Sequence, residues 1–341
     1  MKNLFDYATK ELSQDAFLCW LFANYKCENK KLSEISVKLL SAFSFPLSAD
    51  KIENFQIFKQ WKHIDVLVQF EYDNEIHLIA IEDKTYSEEH EQLKEYNKEL
   101  DGYAKIIFAR EKKMVESHKV FYKTAVLSDA EKIRVENSNR WTIFGIKQIN
   151  DFFSKYSKTG SEILDDYIEH ISKLYRMSYH YSEIAFSEWK GNNYIFKRYC
   201  DVDIKRKTTA HPRTEIYQGK YTATYLQKIT KDNVIVELGL FFRDWASAWI
   251  KCWENGKPHN ILNPSLRDNI LDSLSPNLMM QWEYKTYKNR ILRVVNNSNE
   301  FESFYDFDSW VSNCVIDFEN IANDLRIKDC GQSAIESACP K

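Results

Sequence analysis

Glycine and proline are scarce in this chain, with 8 glycines and 6 prolines among 341 residues. Collagen-like and low-complexity chains contain far more of both, so the composition excludes those classes. The glycines also lie too far apart for any GxG pair to occur. The Walker-type phosphate loop, the dinucleotide-binding fingerprint and the GxSxG nucleophile elbow are therefore all absent. Any phosphate chemistry in this protein has to proceed without a glycine-rich loop.

Cysteine pattern and net charge say less. The seven cysteines form an odd set without a CxxC pair, so zinc-site spacing is absent and free thiols in a reducing compartment are expected. The net charge of −3 gives no global basic field. The first residues carry charge where a signal peptide needs an apolar stretch, and no apolar run approaches the ~20 residues of a membrane helix. We expect a cytoplasmic protein without a membrane partner.

The apolar pattern predicts an α/β fold. Short segments rich in β-branched and aromatic residues predict strands over 55–58, 63–70, 76–84, 103–109 and 121–127. Apolar residues at helical spacing, together with capping and boundary signals, predict helices over 4–25, 32–43, 87–100, 146–156 and 163–175. The order of these elements predicts a mixed central β-sheet flanked by helices.

The length of the chain predicts two domains, because a domain usually holds 100–200 residues. A weak boundary places a first domain over 1–178 and a second, α+β domain over 179–341, whose expected role is substrate binding. In the second domain we predict a strand pair over 217–229 and 233–242, and helices over 265–275 and 308–326. Trp245, Trp249 and Trp253 recur every four residues, which predicts a helix packed into the core.

A predicted hairpin carries the chemistry. Two apolar segments flank Glu71-Tyr-Asp-Asn-Glu75, and if Asp-Asn is a two-residue turn, the numbers of paired residues sum to 147. Asp65 then faces Glu82 across the ladder and His63 faces Lys84. Glu82 and Lys84 are two residues apart, so they share a face. A slip of one residue would instead put the two acids on opposite faces.

Two facing carboxylates repel each other unless a cation lies between them, and hard oxygen ligands suit Mg²⁺ or Mn²⁺. A lysine beside a metal-bound water can orient the nucleophile or offset charge on a phosphoryl oxygen. The alternative is that these charged residues are solvated strand ends. The apolar runs 64–68 and 77–81 favour the metal site, because an unpaired acid near a desolvated interior is costly.

Two further groups are candidates for nucleic-acid binding. Gln92 and Tyr96, four residues apart on a predicted helix, share one face and could hold a phosphate backbone; ordinary helix surface is the alternative. Segment 190–213 contains seven basic and two acidic residues, with aromatic residues among them. Its candidate binding residues are Lys205, Arg206 and Lys207, since cations with aromatics are typical of nucleic-acid surfaces. A solvated face over an aromatic core is the alternative there.

The arrangement of Asp65 and Glu82-x-Lys84 at the ends of two strands resembles the PD-(D/E)XK nuclease superfamily. Ile64 stands where the name of the motif has proline, a position that varies widely in the superfamily. The resemblance covers roughly residues 1–175 and leaves the C-terminal half unexplained. It implies a restriction-endonuclease-like core of helix-flanked strands.

Two other elements extend the resemblance. Gln92-x-x-x-Tyr96 resembles the QxxxY element of one exonuclease-related branch, and residues 11–21 are similar to the opening helix of a bacterial subgroup. In such families an acid of this first helix approaches the metal. The resemblance therefore makes Glu11 a catalytic candidate, with Asp15, one turn later, as its rival.

The resemblance implies a hydrolase, a divalent-metal-dependent nuclease, with DNA rather than RNA as the expected substrate and a restriction-like or phage-defence setting as a hypothesis. Asp65 and Glu82 would bind Mg²⁺ or Mn²⁺, the backbone carbonyl of Asp83 would complete the coordination shell, and Lys84 would position water. The alternative function is a catalytically inactive nuclease-fold scaffold that binds nucleic acid or protein. Association of the chain into a homo-oligomer is left open.

Overall fold

The computed structural model describes residue 5 and residues 11–85, 91–138, 140–189, 192–209, 212–217, 221–231, 234–242, 246–254, 290–295 and 301–336. The chain divides into two units, residues 1–179 and 180–341, one residue from the boundary expected from the sequence. Within the described part of the chain, no helix combines the length and apolar character needed to cross a membrane.

The N-terminal unit contains a five-stranded mixed sheet in the order β1-β2-β3-β4-β5. Its strands are β1 (Glu53–Trp61), β2 (Ile64–Tyr72), β3 (Glu75–Lys84), β4 (Val115–Lys123) and β5 (Trp141–Gly145). Its helices are α1 (Glu11–Ala23), α2 (Lys30–Phe43), α3 (Gln92–Glu111), α4 (Asp129–Glu136), α5 (Ile146–Phe153) and α6 (Glu162–Tyr179). The first three strands are antiparallel neighbours, whereas β4 and β5 run parallel to β3, with α3 and α4 in the connections. The predicted mixed sheet flanked by helices is confirmed.

The two faces of this sheet pack against different helices. On one face, Leu67 and Ala80 belong to a core cluster that includes Leu93, Leu100 and Ile107 of α3. On the other face, Phe43 at the end of α2 packs edge-on against Tyr122 of β4, with ring centroids 6.1 Å apart. The Tyr122 hydroxyl lies 2.8 Å from the hydroxyl of Tyr167 in α6. Side chains that alternate along β3 therefore enter two chemically separate layers.

The β2–β3 hairpin has the register expected from the sequence. Asp73 and Asn74 form its two-residue turn with φ angles of 48° and 67°, the left-handed conformation that a type I′ turn requires at both positions. The ladder runs from Tyr72–Glu75 to Val66–Ile81, so every pair sums to 147. The predicted pairing of His63 with Lys84 is wrong, because His63 has φ of 70° and occupies the preceding turn between β1 and β2.

The predicted strand over 103–109 is wrong, because these residues continue α3 to Glu111. Tyr103 and Ile107 extend the stripe of Leu93, Tyr96 and Leu100 that packs on the sheet. The neighbouring Ile106 and Phe108 are exposed, and these outward apolar side chains gave the segment its strand-like composition. The apolar pattern of the sequence also did not predict α4, β5 or the first half of β4, because these elements are short or polar.

The C-terminal unit contains a five-stranded antiparallel sheet in the order β10-β9-β8-β7-β6. Its strands are β6 (Arg213–Tyr217), β7 (Tyr221–Lys231), β8 (Val234–Phe242), β9 (Ala246–Glu254) and β10 (Arg290–Val295). Its helices are α7 (Asn193–Tyr199), α8 (Lys205–Lys207) and α9 (Phe304–Glu336), and a π-helical turn at Cys200–Ile204 joins the first two. The predicted strand pair and the helix over 308–326 are confirmed, while the predicted helix over 265–275 lies outside the described residues.

The helix predicted from the tryptophan spacing is wrong, because Trp249 and Trp253 lie on β9. A spacing of four residues equals two strand periods as well as about one helical turn, so the pattern alone does not separate the two structures. Trp249 is buried opposite Gly239 of β8. A Cβ at Gly239 would lie 2.8 Å from the indole and 2.7 Å from the Thr224 carbonyl oxygen, so glycine makes room for this ring.

The turn that sets the β2–β3 register supplies a first prediction. Asn74 is exposed with φ of 67°, a conformation that glycine tolerates and a β-branched residue does not. We expect Asn74→Val to lower the free energy of unfolding by about 1–3 kcal/mol, whereas Asn74→Gly leaves it unchanged or raises it. Urea unfolding of both variants measures this. Equal stability of the two variants would show that the turn does not impose the register.

Candidate functional site

Three charged residues meet where β2 begins and β3 ends. Asp65 is the second residue of β2, and Glu82 and Lys84 lie in the last three residues of β3. Continuing the 147 register by one pair places Asp65 opposite Glu82, on the face of the sheet covered by α3. Glu82 and Lys84 are desolvated, with 1% and 9% exposure, whereas Asp65 is half-buried.

The distances show that these groups are in contact. Lys84 Nζ lies 2.6 Å from Glu82 Oε1. Asp65 Oδ2 accepts a hydrogen bond of 2.8 Å from the backbone N–H of Asp83. The carboxyl groups of Asp65 and Glu82 are themselves close enough to share a hydrogen bond when Glu82 is protonated. The sheet therefore brings together the two acids and the lysine that the hairpin arithmetic selected.

The electrostatics of Glu82 follow from this crowding. Burial, followed by the charge of Asp65, raises the pKa of Glu82 to about 8, although the ammonium of Lys84 acts in the opposite direction. Without a further cation, one carboxyl of the pair therefore holds a proton at neutral pH. A bound dication would favour the ionised form, because it adds positive charge between the two acids.

The residues present fit a hard dication. The Glu82 oxygen that does not face Lys84, Oε2, is buried and accepts no hydrogen bond from the described residues. The N–H and C=O of a strand residue point to the same edge, so the Asp83 carbonyl is directed to the side where its N–H meets Asp65. Two carboxylates and a backbone carbonyl form an all-oxygen set, as Mg²⁺ and Mn²⁺ require.

The side chain of Asp83 belongs to the other face of the sheet. It is fully buried, and its charge contributes to the raised pKa of the Tyr122 and Tyr167 phenols, for which burial is the main cause. Both phenols lie in the layer that faces α2 and α6. Only the backbone of Asp83 therefore contributes to the acidic pair, as the sequence reasoning assigned it.

Of the two acids proposed from α1, the structure describes the side chain of Asp15 and not that of Glu11. Glu11 is the first residue of that helix, and its side chain lies outside the described structure. Asp15 is buried, and its charge adds to the burial that raises the pKa of the Cys19 thiol to about 11. Gln14, on the same helix, donates a hydrogen bond to the Tyr167 hydroxyl.

The structure places Gln92 and Tyr96 in different environments. Tyr96 is buried beside the acidic pair, and the Glu82 charge adds to the burial that raises the pKa of its phenol. Its ring centroid lies 6.4 Å from that of Trp141, within the core. Gln92 is the exposed first residue of α3. The buried tyrosine therefore lines the site, whereas the glutamine is open to solvent.

The three basic residues of α8 in the C-terminal unit have different surroundings. Lys205 and Arg206 are exposed on α8. Lys207 instead binds α9, since its Nζ lies 2.8 Å from Asp308 Oδ2 and 2.9 Å from Ser312 Oγ. Of the three aromatic residues of segment 190–213, Tyr194 is half-buried, while Phe196 and Tyr199 are buried and pack on Trp189 and Phe307. These two buried aromatics form core rather than an open stacking surface.

Sequence reasoning missed a buried lysine on the strand next to Lys84. Lys123 of β4 pairs with Lys84 in the parallel register, and its Nζ lies 3.0 Å from Glu131 Oε1 of α4, with both side chains 2% exposed. Its partner, Glu131, lies in a helix that the apolar pattern did not predict.

Sequence reasoning also missed His77, Glu116 and His118, which meet at the other end of the sheet. The available signal was Glu-x-His, which puts both residues on one face of a strand.

Comparison with family models, curated proteins and solved structures gives no significant match. Function is therefore inferred from the residues and their geometry.

The raised pKa of Glu82 predicts a pH-dependent stability. Because the folded protein keeps this proton up to about pH 8, whereas an unperturbed glutamate loses it near 4.5, stability declines as pH rises through this window. In EDTA, the free energy of unfolding of the wild type should fall relative to Glu82→Gln, with a slope approaching about 1.4 kcal/mol per pH unit. Urea unfolding at several pH values measures the difference. A difference that does not vary with pH would contradict the raised pKa of Glu82.

Proposed function

We propose that the N-terminal unit is a divalent-metal-dependent phosphodiesterase that cleaves nucleic acid, DNA rather than RNA. The observation that carries this proposal is the contact of half-buried Asp65 with buried Glu82, beside the ammonium of Lys84. Two acids and a lysine in this order on adjacent strands are also what the resemblance to the PD-(D/E)XK superfamily implies. A restriction-like or phage-defence role is the setting that this resemblance suggests.

In the proposed site, Asp65, Glu82 and the Asp83 carbonyl hold Mg²⁺ or Mn²⁺. When bound, such an ion lowers the pKa of water and polarises a phosphoryl oxygen. Lys84 lies 2.6 Å from Glu82, so its ammonium is fixed at the metal-binding carboxylate and can orient water or donate to a phosphoryl oxygen. The core around Leu67, Ala80 and Tyr96 excludes water from one side, which strengthens these electrostatic interactions.

A scaffold that no longer cleaves nucleic acid is the competing function, and the buried charges argue against it. Burying the Lys84 ammonium costs several kcal/mol of desolvation, and burying Glu82 beside Asp65 forces one of these acids to take up a proton or a cation. Apolar residues of similar volume are often as stable at such positions or more so. A protein that used the fold only as a scaffold would gain by losing these charges, so their presence favours a chemical role.

Cleavage assays test the catalytic proposal. Plasmid and linear DNA should be cut in the presence of Mg²⁺ or Mn²⁺ and left intact in EDTA. Glu82→Gln and Lys84→Met should each lower the rate by about 10²–10³-fold, because each removes a group that acts on the charge of the transition state. RNA serves as the comparison substrate.

The matched control is Glu99→Gln, which removes an exposed carboxylate of α3 and should leave cleavage unchanged. Circular dichroism verifies that each variant is folded. Cleavage that survives EDTA, or that both site variants retain, would refute the assignment. DNA binding without cleavage under every metal condition would favour the scaffold.

For the C-terminal unit we propose that Lys205 and Arg206 contact the DNA backbone, while Lys207 stabilises the packing of α9 through Asp308. The negative slope of log affinity against log salt should become shallower in the double variant Lys205→Ala/Arg206→Ala, by about 0.9 for each phosphate that is no longer neutralised. Lys228→Ala, exposed on β7, is the control and should keep the slope. A slope that the double variant also keeps would remove α8 from the DNA-binding surface.

A further inference from the structure

A group of metal-binding side chains lies across β3 and β4, at the opposite end of the sheet from Asp65 and Glu82. His77 comes from β3, and Glu116 and His118 come from β4. The parallel register pairs His77 with Glu116, and Ile79 with His118. Paired residues share a face, as do residues two apart on one strand, so all three side chains point to the same side of the sheet.

The three ligand atoms are close together. His77 Nδ1 lies 3.6 Å from Glu116 Oε2, and His118 Nε2 lies 3.9 Å from the same oxygen. All three atoms lie within 4.8 Å of one another. A tetrahedral Zn²⁺ with bonds of about 2.0–2.1 Å holds its ligands roughly 3.3–3.4 Å apart. Small side-chain rotations would therefore close this group around an ion.

The two imidazole nitrogens that face Glu116 are buried and have no hydrogen-bond partner among the described residues. His77 is 3% exposed, so surface water does not supply the missing hydrogen bond. Leaving a buried polar atom unsatisfied costs about 1–3 kcal/mol, and such atoms are uncommon in native folds.

The surroundings give the group one dry wall and one open side. The ring of Phe45 lies 4.6 Å from that of His77 and 5.7 Å from that of His118, and Phe70 stacks on His77 at 5.4 Å. Glu116 is 59% exposed, so its carboxylate borders solvent. An ion could enter from the carboxylate side, while the aromatic rings exclude water behind the imidazoles.

We propose that His77, Glu116 and His118 form a metal site for a transition-metal dication, Zn²⁺ in the first place, with one coordination position open to solvent. Two nitrogen ligands and one oxygen ligand suit Zn²⁺ and disfavour Mg²⁺, which takes oxygen ligands. The site is distinct from the acidic pair and does not depend on the proposed nuclease activity.

The experiment is a Zn²⁺ titration of the full chain after EDTA treatment and dialysis, read through competition with a chromophoric chelator. It is carried out in the Glu82→Gln background, so that the acidic pair does not contribute. One equivalent of Zn²⁺ should bind, and Co²⁺ should give the visible absorption of a four-coordinate imidazole complex. Glu116→Ala and His118→Ala should each weaken binding at least about tenfold.

Glu116→Ala keeps the test decisive, because Glu116 is exposed and its removal leaves the core intact. Glu75→Gln is the matched control, since Glu75 is an exposed acid at the same end of β3 whose charge also reaches His77. It should leave affinity unchanged. Absence of stoichiometric binding, full affinity in folded Glu116→Ala, or equal weakening by Glu75→Gln would each overturn the proposal and leave the histidines as core residues. Failure here would leave the metal-dependent cleavage prediction standing.

Discussion

The enforced proximity of two carboxyl groups is the constraint around which the N-terminal unit is organised. The β2–β3 hairpin holds Asp65 and Glu82 opposite each other, because its turn and its apolar ladder set the register. Burial and mutual repulsion raise the pKa of Glu82 to about 8, and Lys84 offsets only part of this cost. A bound proton or a bound cation removes the repulsion between two such carboxylates. The site formed by Asp65 and Glu82 therefore favours the binding of positive charge.

One strand supplies chemistry to both faces of the sheet. Glu82 and Lys84 occupy even positions of β3 and face α3, while His77 and Asp83 occupy odd positions and face the opposite layer. The parallel neighbour β4 adds two buried lysines to the first face and a carboxylate and an imidazole to the second. The oxygen-rich site and the nitrogen-rich group are therefore separated by both face and strand end. This separation would let the two proposed sites take ions of different hardness.

The accuracy of the sequence reasoning depended on how local the deciding interactions were. The hairpin register was predictable because a two-residue turn determines every pair that follows it. The segment over 103–109 was misassigned because its helical state depends on packing of Tyr103 and Ile107 against the sheet. The tryptophan spacing on β9 was misassigned because a period of four fits both structures. In both cases the missing information was the identity of the packing partner.

The sequence by itself determined the mixed α/β class of the N-terminal unit, the hairpin and the approach of Asp65 to Glu82, since these follow from local periodicity and turn chemistry. Only the tertiary structure decided that Tyr96 lies beside the acids, that Lys207 binds Asp308 instead of facing solvent, and that β3 and β4 bring His77 to Glu116 and His118. Each of those contacts joins elements whose pairing no local pattern encodes. Their positions follow from the order and direction of strands, which arise from burial summed over the whole core.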